Sequence, residues 1–499
     1  MTEQFIAVLV PAASIAPLLC AALLQFARKD DSAHLVNKAC AVMTGMLGLA
    51  AAAAMLAPHS QHIRWAVTDP VAGVYVGIVT VISAMSALLS PAYLRNNEGH
   101  FFSSTRSVRS YYLALYLFWA ALITIPVVNN LGVAWVVVEA TTGASAVLVA
   151  FSGKPRALEA SWKYLMLTTL GLSLAFLGIV IICLSGAPHG AGLAELNWSA
   201  LPQTLSRMPH RAAAVAYALV MLGLAAKIGW APLQNWLPDA HSEAPAPISA
   251  MLSSVLLPAV ILLAWRLRDA AIQPLGHTTA NAPLVVFGIL SVAVAVPFLW
   301  QPMPWKRLMA YHTLEHMGII TVGIAISTPL AIAGVLIHVA GHALAKALGF
   351  YATIPLFQIQ PDAAQQPAHN VAKDSPATFA AMAVTAVTLA GLPPTPLFFS
   401  ELFIILGGIQ SRQFLLAGTL AVLVALAFIG LLHALLEALQ SPQHQTEPPV
   451  LAGVKNRPAG TAPILIPTLV TVIGLAALAM CAGPLVGSEI VQRLVFGIK

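Results

Sequence analysis

The stretch 227–252, K-I-G-W-A-P-L-Q-N-W-L-P-D-A-H-S-E-A-P-A-P-I-S-A-M-L, narrows the possible folds more than any other. It starts inside an apolar segment, and residues 215–226 before it carry no charge. An ammonium group near a bilayer centre costs about 2.5–3.5 kcal/mol even on a lenient insertion scale, so Lys227 needs a reason to be there. Pro232 follows five residues later, then Pro238, Pro245 and Pro247. Each proline removes a backbone donor and disrupts helical hydrogen bonding. A helix broken at membrane depth persists only where protein or water satisfies the freed carbonyls. Buried charge beside a broken helix marks an ion path.

Composition places this stretch in a membrane. Of 499 residues, 59% are hydrophobic and only 8% charged, with a mean hydropathy of +0.84. Soluble domains carry roughly 25% charged residues, so a water-soluble fold is excluded. The net charge of +6 is spread over short loops, which fits topology determinants and not a nucleic-acid patch. Cys20, Cys40, Cys183 and Cys481 lie in or beside apolar segments without short spacings, so they read as small buried hydrophobes and not as a metal ribbon or disulfide frame. The start, Met1-Thr2-Glu3-Gln4, lacks the basic region of a signal peptide. Leu18-Leu19-Cys20 hints at a lipoprotein site but has Leu19 where a small residue is wanted; residues 5–27 read as a retained first span.

At about 20 apolar residues per span, about fourteen segments emerge: an all-α polytopic membrane protein. They fall near 5–27, 36–57, 70–94, 111–128, 131–151, 160–184, 213–237, 246–267, 283–300, 308–327, 329–356, 375–411, 413–438 and 462–486. The twelfth is overlong and interrupted by G-L-P-P-T-P, including Pro393 and Pro394, so it reads as a second broken helix. The predicted organisation is three N-terminal helices in 1–110, five helices in 111–268 with a break near 227–238, five more in 283–440 with a break near 391–401, and a loop plus last span in 441–499. Five is odd, so the second set enters the membrane from the opposite side, as in the inverted repeats of many ion-coupled transporters. One set of alternate loops holds Arg28, Lys29, Lys38, Arg95, Arg106, Arg109, Lys154, Arg156, Lys306, Arg307, Lys373, Lys455 and Arg457. The other holds only Arg64, Arg207, Arg211, Arg266, Arg268 and Arg412. The richer side is expected to be cytoplasmic, with both termini outside.

The candidate site residues are the ionisable groups inside spans. They are Glu139, Lys163 and Lys227 in the first set, and His312, Glu315, His316, His338, His342, Lys346 and Glu401 in the second. The spacing of four in His338, His342 and Lys346 places all three on one helix face, a polar stripe about 12 Å long. His433 and Glu437 sit at a span's end and read as a snorkelling pair, and Lys163 can snorkel too. Paired intramembrane histidines can also ligate haem or a metal, with His312 or His316 opposite. H-V-A-G-H, however, lacks the glutamate of H-E-x-x-H, and Lys346, four residues beyond His342, would repel a cation. A proton path is preferred, because histidine titrates near neutral pH and can relay in both directions. Burial disfavours the charged form of a lysine and a carboxylate restores it, so a Glu139–Lys227 pair would hold its proton when closed and release it when parted. The sequence has no phosphate loop, dinucleotide fingerprint or iron–sulfur cysteine motif. No cofactor is expected, and the driving force must come from elsewhere.

These residues also carry a resemblance. A-A-K-I-G-W-A-P-L-Q-N-W-L-P-D-A-H-S-E-A-P-A-P-I-S-A-M-L, W-K-Y-L, L-E-H-M-G, H-A-L-A-K-A-L-G-F and G-L-P-P-T-P-L-F-F-S-E-L-F, in that order over roughly 111–440, resemble the proton-conducting antiporter-like subunits. That family occurs in respiratory complex I, multisubunit cation/proton antiporters and membrane-bound hydrogenases, and S-E-A-P-A-P with L-E-H-M-G is most similar to its hydrogenase-4 component F branch. The resemblance implies a fourteen-helix core with two inverted five-helix repeats. By motif position it makes Glu139 and Lys227 the input pair, Lys163 the sixth-helix lysine, Lys346 the central lysine and Glu401 the terminal residue. It implies a place among other membrane subunits in the bacterial inner membrane, with a peripheral redox arm carrying iron–sulfur clusters, and no nucleic acid. Relatives with a lysine or histidine in the eighth helix contrast with Ser253 and Ser254 here, and Pro258 interrupts that helix. The link between the halves is therefore expected to use water or the histidine stripe.

Overall fold

The computed structural model describes residues 2–27, 29–56, 66–96, 108–186, 192–439 and 462–486. Among these the chain is helical, with two isolated β-bridges, Ala66 to Val128 and Asn130 to Asn197, and no strand. The first helices are α1 (Thr2–Leu24), α2 (Asp30–Leu56), α3 (Pro70–Asn96), α4 (Val108–Thr124), α5 (Leu131–Val149) and α6 (Pro155–Gly186). A short α7 (Leu201–Arg207) leads to α8 (His210–Ile228), α9 (Leu237–Glu243), α10 (Ala246–Met251) and α11 (Leu257–Leu275). Then come α12 (His277–Leu299), α13 (Trp305–Ile326), α14 (Pro329–Tyr351), and the short α15 (Thr353–Ile359) and α16 (Val371–Asp374). The chain closes with α17 (Pro376–Leu389), α18 (Pro396–Gln410), α19 (Phe414–Leu439) and α20 (Ala462–Val486).

Twelve of the described helices are long and apolar enough to cross a membrane. Helix α13 has 22 residues but carries Lys306, Arg307 and Glu315. Helices α17 and α18, of 14 and 15 residues, are each about 21–23 Å long, short of a hydrocarbon core of about 30 Å. The α10–α11 run is buried from Ala246 to Trp265 and α14 almost throughout, whereas α19 and α20 expose aliphatic side chains along most of their length. His338, His342 and Lys346 are therefore carried by one of the innermost helices. Close backbone approach locks α6 against α8: a Cβ on Gly223 would stand 2.5 Å from the carbonyl oxygen of Gly171.

Both breaks are built as the sequence requires. Helix α8 ends at Gly229, left-handed at φ +75°, and the freed groups find protein partners. Trp236 Nε1 donates to Ala226 O at 2.9 Å, Trp230 N to Ala225 O at 3.1 Å, and Ala231 N to Ser291 Oγ at 3.0 Å. The second break turns at Gly391 (φ +62°), where the Glu401 carboxylate occupies the space a Cβ would need. Ala231–Pro232 and Pro393–Pro394 are cis.

Several boundaries differ from the sequence expectation. The seventh span stops at Ile228 and not 237, because Gly229 and Pro232 end the helix. A π-helical turn, Leu252–Leu256, precedes Pro258 where the sequence showed only an interruption. The eighth span continues to Leu275, drawing Arg266 and Arg268 out of the loop count. Arg268 is buried between Asn281 Oδ1 (2.6 Å) and Asp269 Oδ1 (2.6 Å). Lys306, counted as a loop charge, is buried at the start of α13, where its Nζ donates to Ala244 O. All four cysteines are free; Cys20 and Cys40 are buried, but Cys481 is exposed on α20. The side chain of Glu437 lies outside the described residues, as do Arg28, Arg64, Arg106, Lys455 and Arg457.

Candidate functional site

Lys227 ends α8 one residue before the break and is fully buried. Its Nζ donates to Thr142 Oγ1 and to Tyr164 OH, each at 2.7 Å, and lies 4.8 Å from the centre of the Tyr164 ring. Tyr164 OH in turn meets Ser145 Oγ at 2.8 Å. Glu139, Thr142 and Ser145 recur every three residues along α5, so one face of that helix presents a carboxylate and two hydroxyls. Glu139 does not form an ion pair with Lys227: its Oε1 accepts from Thr169 Oγ1 at 2.8 Å, and its Oε2 is buried without a hydrogen-bond partner among the described residues. The ammonium group is thus in contact with hydroxyls and not with the expected partner carboxylate, which lies one turn from Thr142 along α5.

Lys163 is not brought to this cluster. Its side chain is 45% exposed and bridges Glu159 (2.6 Å) and Asp239 (3.3 Å). Asp239 also meets Arg307 at 3.1 Å, so the start of α6, the segment after the break and the start of α13 are tied together at one end of the molecule. The residue that turns inward is Tyr164, one position along. Glu159 and Lys163, four apart, already marked the outer face of that helix.

The second cluster lies between α13, α14 and α18. His312 Nδ1 and Glu315 Oε2 are 2.7 Å apart, His316 Nδ1 and His338 Nε2 2.9 Å, and His338 Nδ1 and Ser400 Oγ 2.8 Å. His342 stands 5.2 Å from His316 ring to ring, and neither of its nitrogens has a partner among the described residues. Glu401, 8% exposed, approaches His316 and His338: ligating atoms of the three lie within 4.8 Å of one another. Lys346 is fully buried, its Nζ donating to Met309 O at 2.5 Å.

Between the clusters, contacts appear that the sequence reading did not assign. Thr313 Oγ1 also donates to Met309 O (2.9 Å) and meets Ser253 Oγ at 2.7 Å, so the π-helical turn before α11 is linked through Thr313 to the carbonyl that holds Lys346. His241 on α9 is fully buried, with Nδ1 on Leu237 O at 2.8 Å and Nε2 unpartnered among the described residues. Its ring lies between Trp236 (6.2 Å) and Phe350 (6.1 Å), the latter one turn beyond Lys346. His241 lies within the proline-rich stretch 227–252, and its place between Pro238 and Pro245 was the available signal. His433, read as a surface group, is exposed.

The geometry therefore comprises Lys227 in a hydroxyl cluster beside the first break, a histidine and carboxylate cluster beside the second with Lys346 one turn beyond His342, and a hydroxyl and imidazole zone between them. A family model described as NADH:quinone oxidoreductase/Mrp antiporter, TM, matches residues 128–428, which contain every one of these groups. The chain belongs to this family. A hydrogenase-4 component F homolog of Methylacidiphilum infernorum is 32% identical over 354 residues, covering 70% of this chain and 73% of the relative. NADH-quinone oxidoreductase subunit N of Desulforudis audaxviator is 29% identical over 430 residues, covering 83% and 81%. In solved structures, a chain of the membrane-bound sulfane sulfur reductase, an archaeal respiratory membrane complex, superposes with a TM-score of 0.79 at 19% identity over 99% of this chain and 100% of that one. This antiporter-family chain is a multi-pass membrane protein.

Proposed function

We propose that this chain is the proton-translocating subunit of a larger, redox-driven membrane complex in a bacterial cytoplasmic membrane, without a catalytic centre of its own. Lys227 carries the reading: an ammonium group with no exposure, held by neutral hydroxyls beside a broken helix, with Glu139 on the same face. A lysine so placed can switch charge state when its surroundings move, and intramembrane ionisable groups mark ion paths by default. Protons would enter near Glu139 and Lys227, pass His241, Lys346 and the histidines of α13 and α14, and leave near Glu401. Counting α13 and the α17–α18 pair as one span each gives fourteen, arranged as two inverted five-helix sets, each with its fourth span broken. The shared end at Lys163, Asp239 and Arg307 supports the alternating loop assignment, with that end cytoplasmic and both termini periplasmic. Relatives named for hydrogenase-4 and NADH–quinone oxidoreductase support partner membrane subunits and a peripheral redox arm, to which iron–sulfur clusters would belong. The family description also names an antiporter, so sodium/proton exchange is the second reading.

The test is Lys227→Ala in the native complex, purified in mild detergent, with subunits identified by mass spectrometry and iron assayed. The expected result is an assembled, iron-containing complex whose redox activity no longer moves protons in vesicles. Normal pumping by the variant would sink the scheme, and a complex of small membrane subunits without iron would favour the antiporter.

A further inference from the structure

We propose that His316, His338 and Glu401 form a binding site for Zn2+ or a similar borderline divalent ion, and that an ion held there closes the proton path. The ion would be an exogenous ligand and not a resident cofactor, and the blocking half rests on the path proposed above.

Three helices supply the three groups, with their ligating atoms within 4.8 Å of one another. Zinc takes imidazole nitrogen at about 2.0–2.1 Å and carboxylate oxygen at about 2.0–2.2 Å, which sets neighbouring ligand atoms about 3.3 Å apart in a tetrahedron. His316 Nδ1 and His338 Nε2, at 2.9 Å, need to part by a few tenths of an ångström, and the Glu401 carboxylate, within 4.8 Å of both, must close in on them. Two histidines and a carboxylate form a known zinc donor set, leaving the fourth position for water or for His342. His342 is fully buried, adjacent to His316 and unpartnered at both nitrogens among the described residues. An outer contact is also in place: Ser400 Oγ on His338 Nδ1 fixes the ring with Nε2 turned into the site.

Charge favours this set over others on the same helix. Lys346 follows His342 by one turn and opposes a cation there, but His338 is eight residues away, about 12 Å along α14. Glu401 offsets one of the ion's two charges. Glu401 packs against Gly391 at the second break, and Pro393 and Pro394 beside it are exposed. Coordination needs the lone pairs of both imidazoles, so the proton now shared between His316 and His338 must leave. With both nitrogens on the metal, that relay step has no proton to pass. Nitrogen donors select Zn2+ or Cd2+ over Mg2+ and Ca2+.

The test is zinc binding to the intact native complex, followed by X-ray absorption at the zinc edge, in the wild type and in His338→Gln, Glu401→Gln and Ser400→Ala. The wild type should bind one zinc more than His338→Gln, in a shell with at least two imidazoles. Affinity should fall about tenfold or more in Ser400→Ala, which keeps all three ligands but loses the outer contact. Excess Mg2+ should not compete. Equal zinc content and equal shells in wild type and all three variants would overturn the site. Binding is read without proton transport, so pumping by Lys227→Ala would defeat the path while leaving the zinc result standing. Zinc bound with the expected shell but without reversible inhibition of wild-type pumping would overturn the blocking half.

Discussion

At the scale of single residues, the organising fact is how Lys227 is solvated. Tyr164 and Thr142 replace two water molecules with fixed hydroxyls, so the ammonium group is satisfied without a permanent counter-charge. Hydrogen bonds to charged groups are worth about 1.5–3 kcal/mol, and leaving a buried donor unpaired costs a similar amount. Tyr164→Phe keeps the ring and its cation–π contact but removes one acceptor. It should slow proton translocation by about tenfold or more while the complex still assembles. Initial rates of acidification in vesicles, matched for complex content, measure this. A rate equal to wild type would mean that Tyr164 only packs. Lys163, its neighbour in sequence, illustrates what a sequence hides. Adjacent positions on a helix point about 100° apart, and the i,i+4 spacing of Glu159 and Lys163 was the one sign that Lys163 and not Tyr164 takes the outer face.

At the scale of elements, the broken helices were legible because proline and glycine act through the backbone alone. Pro232, Pro238, Pro393 and Pro394 fall at or beside the observed breaks. The π-helical turn at Leu252–Leu256 was not legible, since it depends on packing around Ser253 and Ser254 and not on their propensity. Lys306 was misread for a related reason: its place at the start of a span looks like a loop, yet the Ala244 carbonyl draws it inward. Around α9, Asp239 acts as a clasp between Lys163 and Arg307. Such partly exposed pairs contribute about 1 kcal/mol or less each, so Asp239→Asn should leave overall stability within about 2 kcal/mol of wild type. It should instead loosen the short helix that carries His241. Faster amide exchange confined to residues 237–243 would confirm the clasp, and unchanged exchange there would dismiss it.

At the scale of the whole molecule, the succession of spans was readable from length and apolarity, because a bilayer imposes both. Side-chain contacts across helices were not, since they join residues such as Ser253 and Thr313 that are 60 positions apart. The ends that meet at Asp239 also fix which loops share a side. Asp362, exposed on the turn Pro361–Ala364, belongs with Lys373 on the side assigned to the cytoplasm. A cysteine placed at Asp362 should therefore react with a membrane-impermeant maleimide in inside-out vesicles and be spared in right-side-out cells. The reverse pattern would invert the topology.

The Met309 carbonyl has a bearing on leakage. Thr313 spends its single hydroxyl hydrogen on that oxygen, so Ser253 must donate to Thr313, and Lys346 donates from the other side. Two donor series thus run head-on into one acceptor that has no hydrogen to hand forward. In this arrangement the Ser253–Thr313–Met309 contact cannot hand a proton on to Lys346. Conduction along this contact would require Lys346 to let go of the carbonyl first.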